Sequence, residues 1–438
     1  MLKGSAEPEC PLGGAAEIRG QASSTAQIDW RPIYDSQGFD PEPRNFIRRP
    51  ALSKSNPDKE TRMWTPIAVL PSVDVRTNKL GGAHIALIGS GDPRYQAFVG
   101  ANDDLMTFLA RFTGSHGEAL RPSVIAVSSE YAGKPVAHAI ASFKDIVVAA
   151  VTLDTRVLTI LSDNNRGPFY SSSFDIYPWM VTNRSDRLVA MTPAISALHQ
   201  LKGFRGIASP SVPIHQVEDS HVHSGLFEGL YRLWTQQYLE EKGEAWEVRS
   251  ILRSLNMAAT AMEVPNTSVT ETIYDWGRVI AHWVSAFEIL VHPGADGRAD
   301  ERMVLDMLAR VEWRRGMLIE KSHSVKIGRG PASDRTLAEW LYHRLFKLRN
   351  DYLHGNPVDA RGFDMENATS ILHVPAALYR MALTTRVPAE DPITNEDVRE
   401  KRRTLAEYSR FYQSTLFQHH CEEILLRAVD PDALKDDE

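Results

Sequence analysis

Apolar and polar positions follow two rhythms along this chain, and the change falls near residue 210. In the first part, Ile67 to Leu70, Ile85 to Ile88 and Val124 to Val127 are short apolar runs bounded by Pro, Gly or polar residues. Such runs predict strands. Between them, Leu105, Phe108, Leu109 and Phe112 fall at helical spacing, so Asn102 to Phe112 reads as a helix capped by Asn102 or Asp103. Pro135 to Leu153 is mostly apolar and fits a helix or a helix–strand pair, between which periodicity does not choose. Ser162 to Trp179 is loop-like and aromatic. Residues 63–210 are therefore expected to form an α/β domain.

Beyond Ser209-Pro-Ser-Val-Pro213 the pattern becomes helical. The predicted helices are Gly225 to Lys242, Glu244 to Met262, Ser268 to Val291, Asp300 to Glu320, Ser333 to Leu353, Asn367 to Arg386 and Asn395 to Val429. Gly and Pro break them at Gly243, Pro265, Pro293-Gly294, Gly328 to Pro331, Gly355 to Pro357 and Pro388 to Pro392. Long helices joined by short breaks predict an antiparallel bundle over residues 211–430. Residues 1–62 hold seven prolines and little apolar area. They read as a flexible arm, with Trp30, Ile33, Tyr34, Phe46 and Ile47 able to dock locally. Residues 431–438 form an acidic tail. The expected fold is mainly α, a C-terminal helical bundle with a smaller N-terminal α/β domain.

Composition narrows the classes. The 438 residues are 43% hydrophobic and 24% charged, an ordinary globular balance that excludes a wholly disordered or fibrous chain. The net charge of −7 argues against a protein coated in basic residues for nonspecific nucleic-acid binding. Two cysteines, Cys10 and Cys421, cannot build a disulfide framework or an all-cysteine zinc site. The first residues lack a signal-peptide h-region, and Ile146 to Leu153 falls far short of the ~20 apolar residues that cross a bilayer. A cytoplasmic protein without a membrane partner is expected. Locally the charge reverses, because ten basic and four acidic residues lie between Arg310 and Arg349. A localised basic cleft is the expectation there.

Several motifs carry little. Gly89-Ser90-Gly91 follows a strand-like run, but Arg94 stands where a dinucleotide loop needs its third glycine, and Pro93 should disturb the helix start. A tight turn is the better reading. No Gly-x-Ser-x-Gly elbow occurs. His221 with His223, and His419 with His420 and Cys421, lack further ligands nearby and read as surface histidines. No metal and no cofactor are expected.

Trp340 to Pro357 (WLYHRLFKLRNDYLHGNP) is the informative stretch. Leu337, Leu341, Leu345, Leu348 and Tyr352 make one apolar stripe, with Arg349 at its edge. His354 follows, then the helix terminator Gly355. On a straight helix Arg349 and His354 diverge by about 140°. They converge only where the helix ends, or where a second copy of the chain supplies one of each. Chance alone yields about one Arg-x4-His match in such a chain. The other match, Arg111 to His116, spans the turn-forming Thr113-Gly114-Ser115. The context sets Arg349 and His354 apart: an amphipathic helix, Asn350 and the His-Gly stop.

This segment resembles the HEPN family, whose motif is an Arg, often a polar residue after it, and a His at a helix end. Tyr274 to Val291, with Phe287-Glu288, looks like an early HEPN helix, and Asn367 to Arg386 like the helix after the motif. The resemblance covers residues 223–430 and is nearest the ApeA-like HEPN proteins. It implies metal-independent endoribonuclease activity in a homodimer that brings two motifs together. The RNA 2′-OH would attack the adjacent phosphate, leaving a cyclic phosphate and a 5′-hydroxyl. It further implies an antiviral defence or toxin role and an unidentified trigger. Histidine relays protons near neutral pH, and arginine holds developing phosphate charge. Arg349 and His354 are the expected catalytic residues, with Asn350 in support. Asn356 stands where some HEPN toxins carry a modified Tyr. A noncatalytic dimerisation or binding scaffold, with ligand sensing in the N-terminal domain, is the alternative.

Overall fold

The computed structural model describes residues 64–76, 80–114, 117–131, 136–161, 170–178, 211–212, 216–240, 245–263, 272–294, 297–365, 369–387 and 405–430. The arm expected over 1–62, the acidic tail and His116 lie outside them, as does most of the Ser209 to Pro213 boundary. The described residues belong to one compact unit, Asn56–Glu438. Its fold is mainly helical, with a small sheet in the N-terminal part.

The sheet region comprises β1 (Trp64–Leu70), β2 (Val73–Asp74), β3 (Leu80–Gly81), β4 (Ile85–Ile88), α1 (Pro93–Ala101), α2 (Asp103–Leu109), β5 (Thr113–Gly114), β6 (Ser123–Ser128), α3 (Val136–Leu161), β7 (Tyr177–Pro178), β8 (Ser211–Val212) and β9 (Val217–Glu218). Five of the strands make an antiparallel sheet in the order β3-β4-β6-β1-β7. The apolar runs read as strands are strands, and they are apolar throughout because both faces are covered. Ile85, Leu87, Ile125 and Val127 face α3 and the bundle. Ala86, Ile88, Val124 and Ala126 face Phe98, Phe108 and Phe112 of the α1–α2 layer. The single long helix α3 resolves the helix-or-pair alternative. With the sheet on one side and helices on the others, an all-round apolar helix is what burial requires.

The Gly89-x-Gly91 stretch is a tight turn. A Cβ on Gly89 would fall 1.4 Å from the Val75 carbonyl oxygen, so only glycine fits there. Pro93 does not disturb the helix; it occupies the first helical position, where its missing N–H costs nothing, and Asp92 caps the start.

The helical part comprises α4 (Ser224–Tyr238), α5 (Trp246–Ala261), α6 (Ile273–Val291), α7 (Glu301–Leu308), α8 (Gly316–Ile319), the hairpin β10 (His323–Lys326) and β11 (Ala332–Arg335), α9 (Leu337–Leu353), α10 (Val374–Leu383) and α11 (Leu405–Arg427). Two expectations change here. The helix predicted over Asp300 to Glu320 stops at Leu308, because the Trp313 indole donates to the Leu308 carbonyl and Glu422 accepts from the Arg314 N–H. The stretch before Trp340 is a hairpin rather than a loop and helix start, anchored by buried Val325 and turned at Gly328, whose φ is 56°. Among the described residues no helix is long and apolar enough to cross a membrane.

Candidate functional site

The candidate site lies where α6 and α9 run antiparallel. Thr336 caps α9 and exchanges hydrogen bonds with Glu339 in a capping box. Leu337, Leu341 and Leu345 are buried as the stripe predicts. At one end of the pair the Phe287 and Tyr342 rings meet at 5.1 Å. At the other, the Tyr352 hydroxyl donates to the Tyr274 carbonyl at 3.2 Å. Between these contacts the helices approach closely at Gly277, where an added Cβ would lie 2.2 Å from the Tyr352 ring. Tyr352 is thus a packing residue.

The end of α9 is closed by the chain itself. The Gly355 N–H donates to the Tyr352 carbonyl and the Asn356 N–H to the Asp351 carbonyl, the paired bonds of a Schellman motif. The motif needs Gly355 in the left-handed region, and its φ is 71°. A methyl there meets open space, so the cost of Gly355→Ala is backbone strain alone. A loss of about 1 kcal/mol is expected in urea unfolding. An unchanged midpoint would show that this end is not held by the glycine. Asn356 also donates from its side chain to Asp351.

Arg349 projects from the last turns of α9 toward α6. Its Nη2 donates to Glu288 Oε2 at 2.5 Å and its Nη1 to Asn350 Oδ1 at 2.9 Å. Its guanidinium sits 5.2 Å over the Phe346 ring, and its Nε is buried without a partner. Both ionic side chains are about four-fifths buried, Arg349 being 19% and Glu288 21% exposed. Burial holds the Glu288 carboxyl above the usual carboxylate range, with Arg349 opposing that shift. Burial first, and then the Glu288 charge, pushes the Tyr342 phenol well above its ordinary value.

His354 is the C-cap of α9 and is exposed, with φ −86° and ψ 0°. The helix is therefore unbroken between Arg349 and His354, and the two side chains leave it about 140° apart. Among the described residues no side-chain hydrogen bond joins His354 to Arg349 or Asn350. The structure brings Arg349 and Asn350 together with Glu288 and leaves His354 on another face. Phe346 and Tyr342 also belong to this site and escaped the reading of the sequence. They lie one and two turns before Arg349 on α9, and that spacing was the available signal.

The positive segment thins once its partners are seen. Arg335 is held by Glu339 at 2.9 Å and Arg349 by Glu288. Lys321, Lys326, Arg329 and Lys347 are exposed, with Glu320 and Asp334 exposed among the first three. His223 is no surface histidine: it is 2% exposed and caps α4 by accepting from the Leu226 N–H. His419 lies 3.2 Å from Arg315, while Cys421 is buried. Among the described residues no group of three or more His, Cys, Asp or Glu is placed to hold a metal ion. Compared with protein-family models, curated proteins and solved structures, the chain matches none.

Proposed function

We propose that the chain is a HEPN-type endoribonuclease that cleaves RNA without a metal, using Arg349 and His354 with Asn350 in support. The observation that carries this reading is the end of α9. An arginine and a histidine of the Arg-x4-His pattern occupy the last turn and the cap of a helix that is locked by a Schellman motif and packed along α6. Arg349 holds the charge that builds on the phosphorane. His354 moves a proton, from the attacking 2′-OH or to the leaving 5′-oxygen. A requirement for the 2′-OH makes RNA the substrate and excludes DNA. Because the two side chains diverge within one chain, the working site takes them from two copies, so the protein acts as a homodimer in the cytoplasm. A role in antiviral defence or as a toxin follows from the family resemblance.

One observation favours the second reading, a noncatalytic HEPN-like scaffold: Arg349 is already neutralised by Glu288. Incubation with RNA in EDTA separates the two. Wild-type protein should leave 2′,3′-cyclic phosphate and 5′-hydroxyl ends. A folded dimer inactive on varied RNAs, and no more toxic on expression than its Arg349→Ala variant, points to the scaffold.

A further inference from the structure

We propose that Glu288 is a latch on Arg349: its carboxylate occupies the guanidinium edge that an RNA phosphate takes, and binding requires its displacement. The proposal rests on the reading of Arg349 as the phosphate-holding residue. An arginine grips a phosphate best through two parallel N–H bonds. Here Nη2 is engaged by Glu288, Nη1 by the Asn350 amide oxygen, and Nε is buried. Phe346 lies against the guanidinium face. The Arg349–Glu288 pair is neutral as a unit, so an approaching phosphate meets no net positive charge from it.

The carboxylate also has somewhere to go. Tyr342, on the same side of α9, buries a hydroxyl that has no hydrogen-bond partner. It lies within electrostatic reach of both Glu288 and Arg349. Released from Arg349, the carboxylate can accept from that hydroxyl, which satisfies a buried donor otherwise left orphaned. Burial holds the Glu288 carboxyl above its ordinary range, with the arginine opposing that shift. The groups facing this pair are Asn350 and Tyr342 from α9. Asp300 and Glu301 near the start of α7 act on the Tyr342 phenol rather than on the pair.

The test reads binding rather than cleavage. A 2′-O-methyl RNA oligonucleotide has no attacking hydroxyl and stays intact. Its affinity is measured by fluorescence anisotropy at fixed salt for wild type, Glu288→Gln, Arg349→Ala and the double variant. Glu288→Gln keeps the shape and an acceptor oxygen but removes the charge. It should tighten binding by about fivefold, the conversion of ~1 kcal/mol for a screened ion pair. In the Arg349→Ala background the same change should give no gain. A Glu288→Gln protein that binds no more tightly than wild type, or not at all, overturns the latch. So does a gain that persists without Arg349. Should the glutamine variant not fold, Glu288→Asp withdraws the carboxylate by one methylene and should give a smaller gain in the same direction; no gain there overturns the latch too. Cleavage of unmodified RNA is scored separately. Wild type that binds as expected but never cuts removes the ribonuclease reading and leaves the latch standing.

Discussion

Arg349→Ala and His354→Ala should each lower RNA cleavage by about 10²-fold or more, the scale on which a positioned proton donor or charge-holding group acts. The stronger result comes from mixing them. Suppose a working site takes Arg349 from one copy and His354 from the other. A dimer of the two variants then has one site missing both residues and one site intact. Random re-pairing makes half of the dimers mixed, so about a quarter of wild-type activity should return. If each copy used its own pair, no mixed dimer would have a complete site and nothing would return. The divergence of the two side chains on an unbroken helix end predicts recovery. Co-refolding the variants and measuring initial rates decides it. Absence of recovery, with mixed dimers confirmed by differential tagging, would mean that Arg349 and His354 meet within one chain by a movement of the α9 end. His354→Ala should not unfold the protein, because His354 is exposed. Arg349→Ala leaves Glu288, about four-fifths buried, without its cation, so its folding is checked by urea unfolding beside the rate measurement.

What the sequence made legible, and what it hid, divides by range. Strand β4 is the apolar run Ile85 to Ile88, bounded by His84 and Gly89. The cap Asn102, the stripe of α9 and the stop at Gly355 are local chemistry and were readable as such. The early end of α7 was not, because it depends on an indole folding back on Leu308 and on Glu422 reaching Arg314 from α11. The hairpin β10–β11 hid for a similar reason: Val325 is its one fully buried residue, so no alternation announces it. At the site the same division holds. Arg349, Asn350 and His354 came from one short segment. That Glu288 takes the Arg349 guanidinium follows from the antiparallel register of α6 and α9, which brings together residues 61 positions apart. Summed charge misled for a related reason, since it counts Arg335 and Arg349 as free when both face carboxylates.

The second large effect lies in the core, where Asp154 of α3, His223 before α4, Arg380 of α10 and Cys421 of α11 are all buried together. Arg380 Nε stands 3.7 Å from Asp154 Oδ1, its Nη2 is 3.4 Å from His223 Nε2, and its guanidinium lies 4.6 Å over the Phe417 ring. Burial pushes the Asp154 carboxyl up to about 7, the Arg380 charge opposing it. Burial, and then Arg380, drives His223 down to about 3. A proton on His223 Nδ1 would also break the cap it makes with Leu226. The two shifts have opposite consequences. Asp154 binds its proton more tightly folded than unfolded, so its contribution is present below about 4 and is lost as pH rises through about 7. His223 binds its proton less tightly when folded, so its contribution is present above about 6.5 and is lost as pH falls toward about 3. Between pH 4 and 6.5 the folded cluster holds a neutral acid and a neutral imidazole, where the unfolded chain holds a carboxylate and an imidazolium. The proton counts match, and the stability this cluster contributes should be nearly flat there. Single substitutions unmask the slopes. Asp154→Asn should make stability rise with pH between about 4 and 6.5. His223→Asn, which keeps a capping side chain, should make it fall with pH over about 4 to 7. Each slope approaches ~1.4 kcal/mol per pH unit at most. Urea unfolding of both variants against wild type, from pH 4 to 8, reads them directly. Slopes of the same sign in the two variants would mean that the acid and the imidazole do not exchange protonation on folding as this geometry requires.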